Sequence, residues 1–175
     1  MKQNIFILLV ILLIISTSCN KDDTNPPNPP TTPPPTNTQL LTGESWMRTA
    51  MTIDTAILPD STNTSLNSND LYPFIDACEH DNIIHFSSNS TFVYEEGSSK
   101  CNTSDPDTIA SGAWVFNSNE TKIITTPGNL HFSTDIVSLD SLNLIVKYDS
   151  AFATSSSGGI PDTLWIVVTE TYSHP

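Results

Sequence analysis

Apolar positions along this chain change pattern twice. Residues 5–15, IFILLVILLII, form an unbroken apolar run. About eleven residues is too short for a bilayer-spanning helix, which needs roughly twenty, and fits the hydrophobic region of a signal peptide behind Lys2. Residues 20–38 then carry almost no apolar side chain. From Gln39 onward the period is two. In LNLIVKY, Leu142, Leu144, Val146 and Tyr148 share one face and Asn143 and Lys147 the other, while TLWIVVTETY alternates less cleanly over a longer span. Both read as antiparallel strands. SWMRTAMTI, NIIHF, TFVYEE, SGAWVF, TKIITT and LHFSTDIVSL read likewise, with turn signals at Ser87-Ser88-Asn89-Ser90, Asn117-Ser118-Asn119, Pro127-Gly128 and Asp140-Ser141. Eight strands in chain order with mostly short links predict an all-β fold, an eight-stranded antiparallel up-and-down barrel that closes to remove its exposed edges.

A longer connection, 54–81, separates the first two strands and holds one helical pattern. In NDLYPFIDACEH, Leu71, Phe74, Ile75 and Cys78 fall at i, i+3, i+4 and i+7 behind Asp70 as N-cap, with Pro73 in the first turn. This spacing predicts one short helix between strands 1 and 2, over 71–78. Its apolar stripe is expected to cover an open end of the barrel, where Phe74 would gate any cavity.

Charge narrows the partners. Lys and Arg number 6 against 19 Asp and Glu, a net charge of −13. Such a surface disfavours nucleic acid and anionic membrane and permits a cationic partner. Export to an oxidising compartment makes Cys78 and Cys101 a disulfide, contributing about 3 kcal/mol by loop closure.

The N-terminal segment supplies an address. Ser16-Thr17-Ser18-Cys19 resembles the lipobox of bacterial lipoproteins, with Ser16 where Leu is more usual. The resemblance implies cleavage before Cys19 and acylation of its thiol and new amine, anchoring the chain in a membrane through several acyl chains. Lys21-Asp22-Asp23 resembles the signal that sends lipoproteins of Bacteroidota-type bacteria to the outer face of the outer membrane. Seven of the 13 prolines follow in TNPPNPPTTPPPTNT, which predicts a semi-rigid polyproline II stalk. The expected organisation is a signal peptide over 1–18, a lipidated Cys19 and proline-rich linker over 19–38, and one barrel domain over 39–175.

Within that domain, LLTGESWMRT, DLYPFIDACEHDNIIHFSSNSTFVYEEGSSKC, SGAWVF and the closing ETYSHP resemble the lipocalin-like lipoproteins common in Bacteroidota. The resemblance covers essentially all of 39–175 and implies a lipocalin-type barrel without a defined activity. Where lipocalins open their first strand with Gly-x-Trp, two residues separate Gly43 from Trp46 here, and Trp46 reads as a core plug. Such barrels enclose a cavity lined by one parity of each strand. The expected lining is Ile84 and Phe86, Phe92 and Tyr94, Trp114 and Phe116, and Leu144, Val146 and Tyr148, with Phe74 at the gate. Fold analogy suggests a small apolar ligand. The alternative is a barrel filled by its own aromatics that displays loops to another protein or a glycan.

No catalytic constellation emerges. His80, His85, His131 and His174 show no metal-ligand spacing, no Ser lies in a G-x-S-x-G elbow, and neither cofactor nor metal is expected. Glu79-His80-Asp81 reads as polar capping beside the disulfide. Asp105 and Asp107 read as an acidic turn rather than a calcium site. Asp-Ser and Asp-Thr pairs resemble the O-glycosylation motif of exported Bacteroidota proteins, with Thr55, Ser61 and Thr108 as the loop candidates.

Overall fold

The computed structural model describes residues 33–54, 69–154 and 162–175. The chain divides into two units, Met1–Pro33 and Pro34–Pro175, and only the second is considered below. Cys19, Thr55 and Ser61 lie outside the described residues, as does the signal segment.

Eight strands follow in order: β1 (Ser45–Ile53), β2 (Ile83–Ser87), β3 (Thr91–Glu95), β4 (Thr108–Phe116), β5 (Lys122–Pro127), β6 (Phe132–Leu139), β7 (Asn143–Thr154) and β8 (Asp162–Ser173). Each pairs antiparallel with the next, and β8 returns to β1, giving a closed barrel with the expected topology. Closure removes the sheet edges around the barrel, while β7 and β8 run on beyond it paired only with each other. β1 occupies the span its alternation predicts. β4 begins three residues before the apolar SGAWVF pattern, and β7 runs on past Tyr148, because backbone pairing continues where polar side chains blur the period.

Parity sorts side chains into interior and outer wall. Trp46 and Arg48 on β1, Leu144 and Val146 on β7, and Ile166, Val168, Glu170 and Tyr172 on β8 share the inward face. A register shift between Arg48 and Ala50 resets β1 so that Met51 and Ile53 also turn in.

A seven-residue helix, α1 (Asn37–Gly43), precedes β1 and closes the end of the barrel where β1 begins. Thr36 caps it in a capping box: the Thr36 hydroxyl accepts from the Gln39 amide, and the Gln39 side chain accepts from the Thr36 N–H. Leu41 and Trp46 are fully buried in the main core cluster, and the Trp46 indole N–H donates to the Leu41 carbonyl at 2.9 Å. His174 packs at a tilt against Trp46 and places its ring nitrogens 3.0 Å from the carbonyls of Ser45 and Ser141, holding the C-terminal end to this closure. Trp46 is thus a core plug, as its sequence setting suggests.

The helical segment between β1 and β2 is wound as two single 3-10 turns, Tyr72–Phe74 and Ala77–Glu79. Ile75 between them is extended, which interrupts the 3.6-residue stripe. Only part of that stripe is covered. Leu71 packs against Ile53, Ile166 and Val168 at the far end of the barrel, whereas Phe74 is 58% exposed. The gating role expected of Phe74 is therefore corrected: the cap over a barrel end is α1. The Cys78–Cys101 disulfide ties this connection to the one between β3 and β4, as expected from the cysteine pair.

Candidate functional site

The barrel encloses a cavity of about 240 Å³. β2 contributes Ile84 and Phe86, β3 Phe92 and Tyr94, β5 Ile123, Thr125 and Pro127, and β7 Leu144 and Val146. Ala110 of β4, Phe132 and Thr134 of β6 and Tyr172 of β8 complete the wall. None of these side chains is charged. Phe132 both lines the cavity and is 53% exposed, so it stands at the mouth, at the end opposite α1.

A small inward residue on β4, Ala110, opens this space. Ala110 pairs with Tyr94, and Gly112 with Phe92 on one side and Pro127 on the other. A Cβ at Gly112 would run into the Thr126 carbonyl, so the close approach of β4 and β5 requires glycine there. Below the gap, Trp114 is buried edge-on against Phe86 and Phe116, its indole N–H donating to the Ser87 carbonyl at 3.0 Å. Trp114 and Phe116 therefore belong to the packed floor and not to the lining. Asn82, 6% exposed, positions Tyr94: its side-chain N–H donates to the phenol oxygen at 3.4 Å while its carbonyl oxygen accepts from the Gly97 amide. A phenol that accepts keeps its own proton to donate.

The interior beside β1, β7 and β8 is filled instead. Arg48, the only arginine in the chain, reaches Glu170 at 2.9 Å. The same carboxylate accepts from Tyr172 at 2.5 Å and from Tyr148 at 3.3 Å. Burial opposes the charge on Arg48, yet the facing carboxylate holds its guanidinium above the ordinary range. Burial, and then the Glu170 charge, push the phenols of Tyr148 and Tyr172 well above their ordinary value. Glu79 adds a longer contact to Arg48 at 3.7 Å from the loop side. Tyr148 is thus a member of this polar cluster and not part of the cavity wall. Arg48 and Glu170 were not foreseen from the sequence, although each shares parity with a buried aromatic, Trp46 and Tyr172.

Other chemistry-bearing groups are accounted for by local structure. Ser45 Oγ lies 2.8 Å from His85 Nδ1, and His85 Nε2 lies 3.2 Å from Glu95, the order of a Ser–His–carboxylate relay. The row runs across the outer wall of β1, β2 and β3, with His85 and Glu95 side chains each 43% exposed, and none of the three lines the cavity. Antiparallel pairing produces such polar ladders without catalysis. Glu79, His80 and Asp81 diverge: Glu79 faces Arg48, His80 stacks on Tyr72, and Asp81 accepts from the Ser98 hydroxyl and the Ser99 amide. Those two hydrogen bonds outweigh desolvation and lower the Asp81 pKa. The Lys100 ammonium takes the Asp107 carboxylate and the Asp105 carbonyl, where a calcium ion would otherwise be sought. Among the described residues, Asp76, Cys78 and Cys101 are the group close enough to hold a metal, and its two sulfurs are bonded to each other. Thr108 is exposed at the start of β4. Compared with known protein-family models the chain matches none, and no curated protein matches it.

Proposed function

We propose that the barrel binds a small, mainly apolar molecule, and that the protein does so as a non-enzymatic lipoprotein of the lipocalin-like kind found in Bacteroidota. On this reading Cys19 is the acylated anchor, residues 20–38 form the stalk, and the barrel stands at the outer-membrane surface of the cell. The cavity carries the proposal. An interior filled by its own aromatics would favour a display module, whereas here the inward wall, with Ala110 on β4, leaves an uncharged space with a half-exposed aromatic at its mouth. Native mass spectrometry of protein purified from its own host tests the reading. A reproducible adduct of low mass, lost on organic extraction, is expected. Protein of bare polypeptide-plus-lipid mass, together with failure to bind any apolar probe, would overturn it. Cys19→Ser tests the anchor, since the variant should leave the membrane fraction.

One observation favours a second reading. Trp165 on the outer wall of β8 is 70% exposed, and Val115 and Val137 are at least half exposed. An uncovered tryptophan suits an interaction module that meets a protein or glycan through its outer surface. Loss of partner binding in Trp165→Ala with the cavity intact would support it.

A further inference from the structure

Resting on the cavity-binding reading, we infer that the site takes uncharged molecules of about ten non-hydrogen atoms, a hydrocarbon body with a single amide, carbonyl or hydroxyl, and that it rejects carboxylates. Three observations converge.

The first is the lining. It offers apolar walls and the hydroxyl groups of Tyr94, Thr125 and Thr134, and no formal charge, while the Tyr172 hydroxyl is committed to Glu170. Hydroxyls both donate and accept, which suits a neutral polar group. A buried carboxylate facing them would lack a counter-charge, and burying an unpaired ion is strongly unfavourable.

The second is the state of the nearest cation. Arg48 could neutralise an anionic ligand only by leaving Glu170, and the pair is self-contained: one positive charge, one negative charge, and two phenols that both donate to the same carboxylate. Withdrawing Arg48 would leave Glu170 buried without its partner, 6% exposed as a residue. The exchange gains one ion pair and loses another. Arg48 is also the chain's only arginine, Lys100 is held by Asp107 and Lys122 by Asp135, and the net charge of −13 disfavours anions over the protein as a whole.

The third is size. At about 30 Å³ for each liquid-like group, 240 Å³ admits roughly eight such groups and excludes a long acyl chain. Octanamide, with ten non-hydrogen atoms, exceeds eight by two and reaches the limit with its end in the open mouth beside Phe132.

Octanamide and octanoate form a matched pair of nearly identical shape that differ in charge at pH 7.5. Titrated into the oxidised, purified protein by calorimetry, octanamide should bind one per barrel and at least tenfold more tightly than octanoate. Hexadecanamide presented at submicellar concentration should bind at least tenfold more weakly than octanamide. Ala110→Leu, which fills the cavity from β4, should abolish octanamide binding; Thr134→Met serves the same purpose from β6 should the first variant fail to fold. Octanoate binding as tightly as octanamide would overturn the selection for neutral molecules while leaving cavity binding intact. Hexadecanamide binding as tightly would overturn the size limit. Binding unaffected by a folded cavity-filling variant would move the site elsewhere, and binding of none of the three would overturn the cavity-binding reading itself.

Discussion

The two sides of the barrel interior use the same strand pattern to opposite ends. Beside β1 and the far halves of β7 and β8, Ile53, Ile166, Val168 and Leu71 pack above the Arg48–Glu170–Tyr148–Tyr172 cluster, and space is filled by side chains and by charge satisfied internally. Across from them, β2 to β6 turn in comparable aromatics, yet the small Ala110 leaves a void beside them. The difference teaches that the fold does not dictate a binding site. The choice of inward side chains does, Ala110 among them, and the polar cluster keeps its charges out of the space they open.

The largest effect should come from breaking the filled side. Glu170→Leu removes the partner of a buried guanidinium and should destabilise the protein by about 3–5 kcal/mol in urea unfolding, while Arg48→Met combined with Glu170→Leu should recover most of that loss. A double variant as unstable as the single would show that packing, not the ion pair, organises this side.

Next in size is the closed end shared by both sides. Leu41 is fully buried in α1, so Leu41→Ala should cost about 2–5 kcal/mol. A change within about 0.5 kcal/mol would mean that α1 is not part of the folded barrel.

Alkaline pH should also separate the sides. Tyr148 and Tyr172 have folded-state pKa values raised above the unfolded value of about 10, so their contribution is complete below pH ~10 and is lost as pH rises further, when the unfolded chain gains the deprotonated phenols. The melting temperature should fall steeply above pH ~10, and absorbance at 295 nm should show Tyr148 and Tyr172 resisting ionisation until unfolding. Ionisation of Tyr148 and Tyr172 below the unfolding transition would contradict the buried cluster.

The smallest stability effect belongs to the hollow side. Phe132→Ala removes a half-exposed ring and should cost less than about 1 kcal/mol while speeding probe entry several-fold in stopped-flow fluorescence. Unchanged entry would place the mouth elsewhere.

Much of this was legible in the sequence, and the failures have physical reasons. Period-two alternation located all eight strands and assigned Ile84, Phe86, Phe92, Tyr94, Leu144 and Val146 to the cavity wall, because a pleated strand half-buried in a barrel writes its parity directly. Trp114, Phe116 and Tyr148 were turned inward correctly, but parity says nothing of depth along the barrel, and depth decides between floor, lining and polar cluster. Arg48 and Glu170 were passed over because a charge within an alternating strand usually faces water. Their pairing depends on β1 meeting β8, a juxtaposition of the domain's first and last strands that no local pattern records. The helical segment around Phe74 is present between strands 1 and 2, and what failed is its gating role: the extended Ile75 divides the segment into two short turns and Phe74 is exposed. α1 had a signal, the Thr36–Gln39 capping box, hidden beside the proline-rich linker.

The comparison between the two sides is tested most directly by methyl-resolved NMR of the folded protein titrated with octanamide. The account predicts saturable shifts at Ile84, Ile123, Leu144 and Val146 on the hollow side and almost none at Ile53, Ile166 and Val168 on the filled side. Shifts confined to outer-wall residues such as Val115 and Val137, or no saturable shift at any methyl, would contradict it.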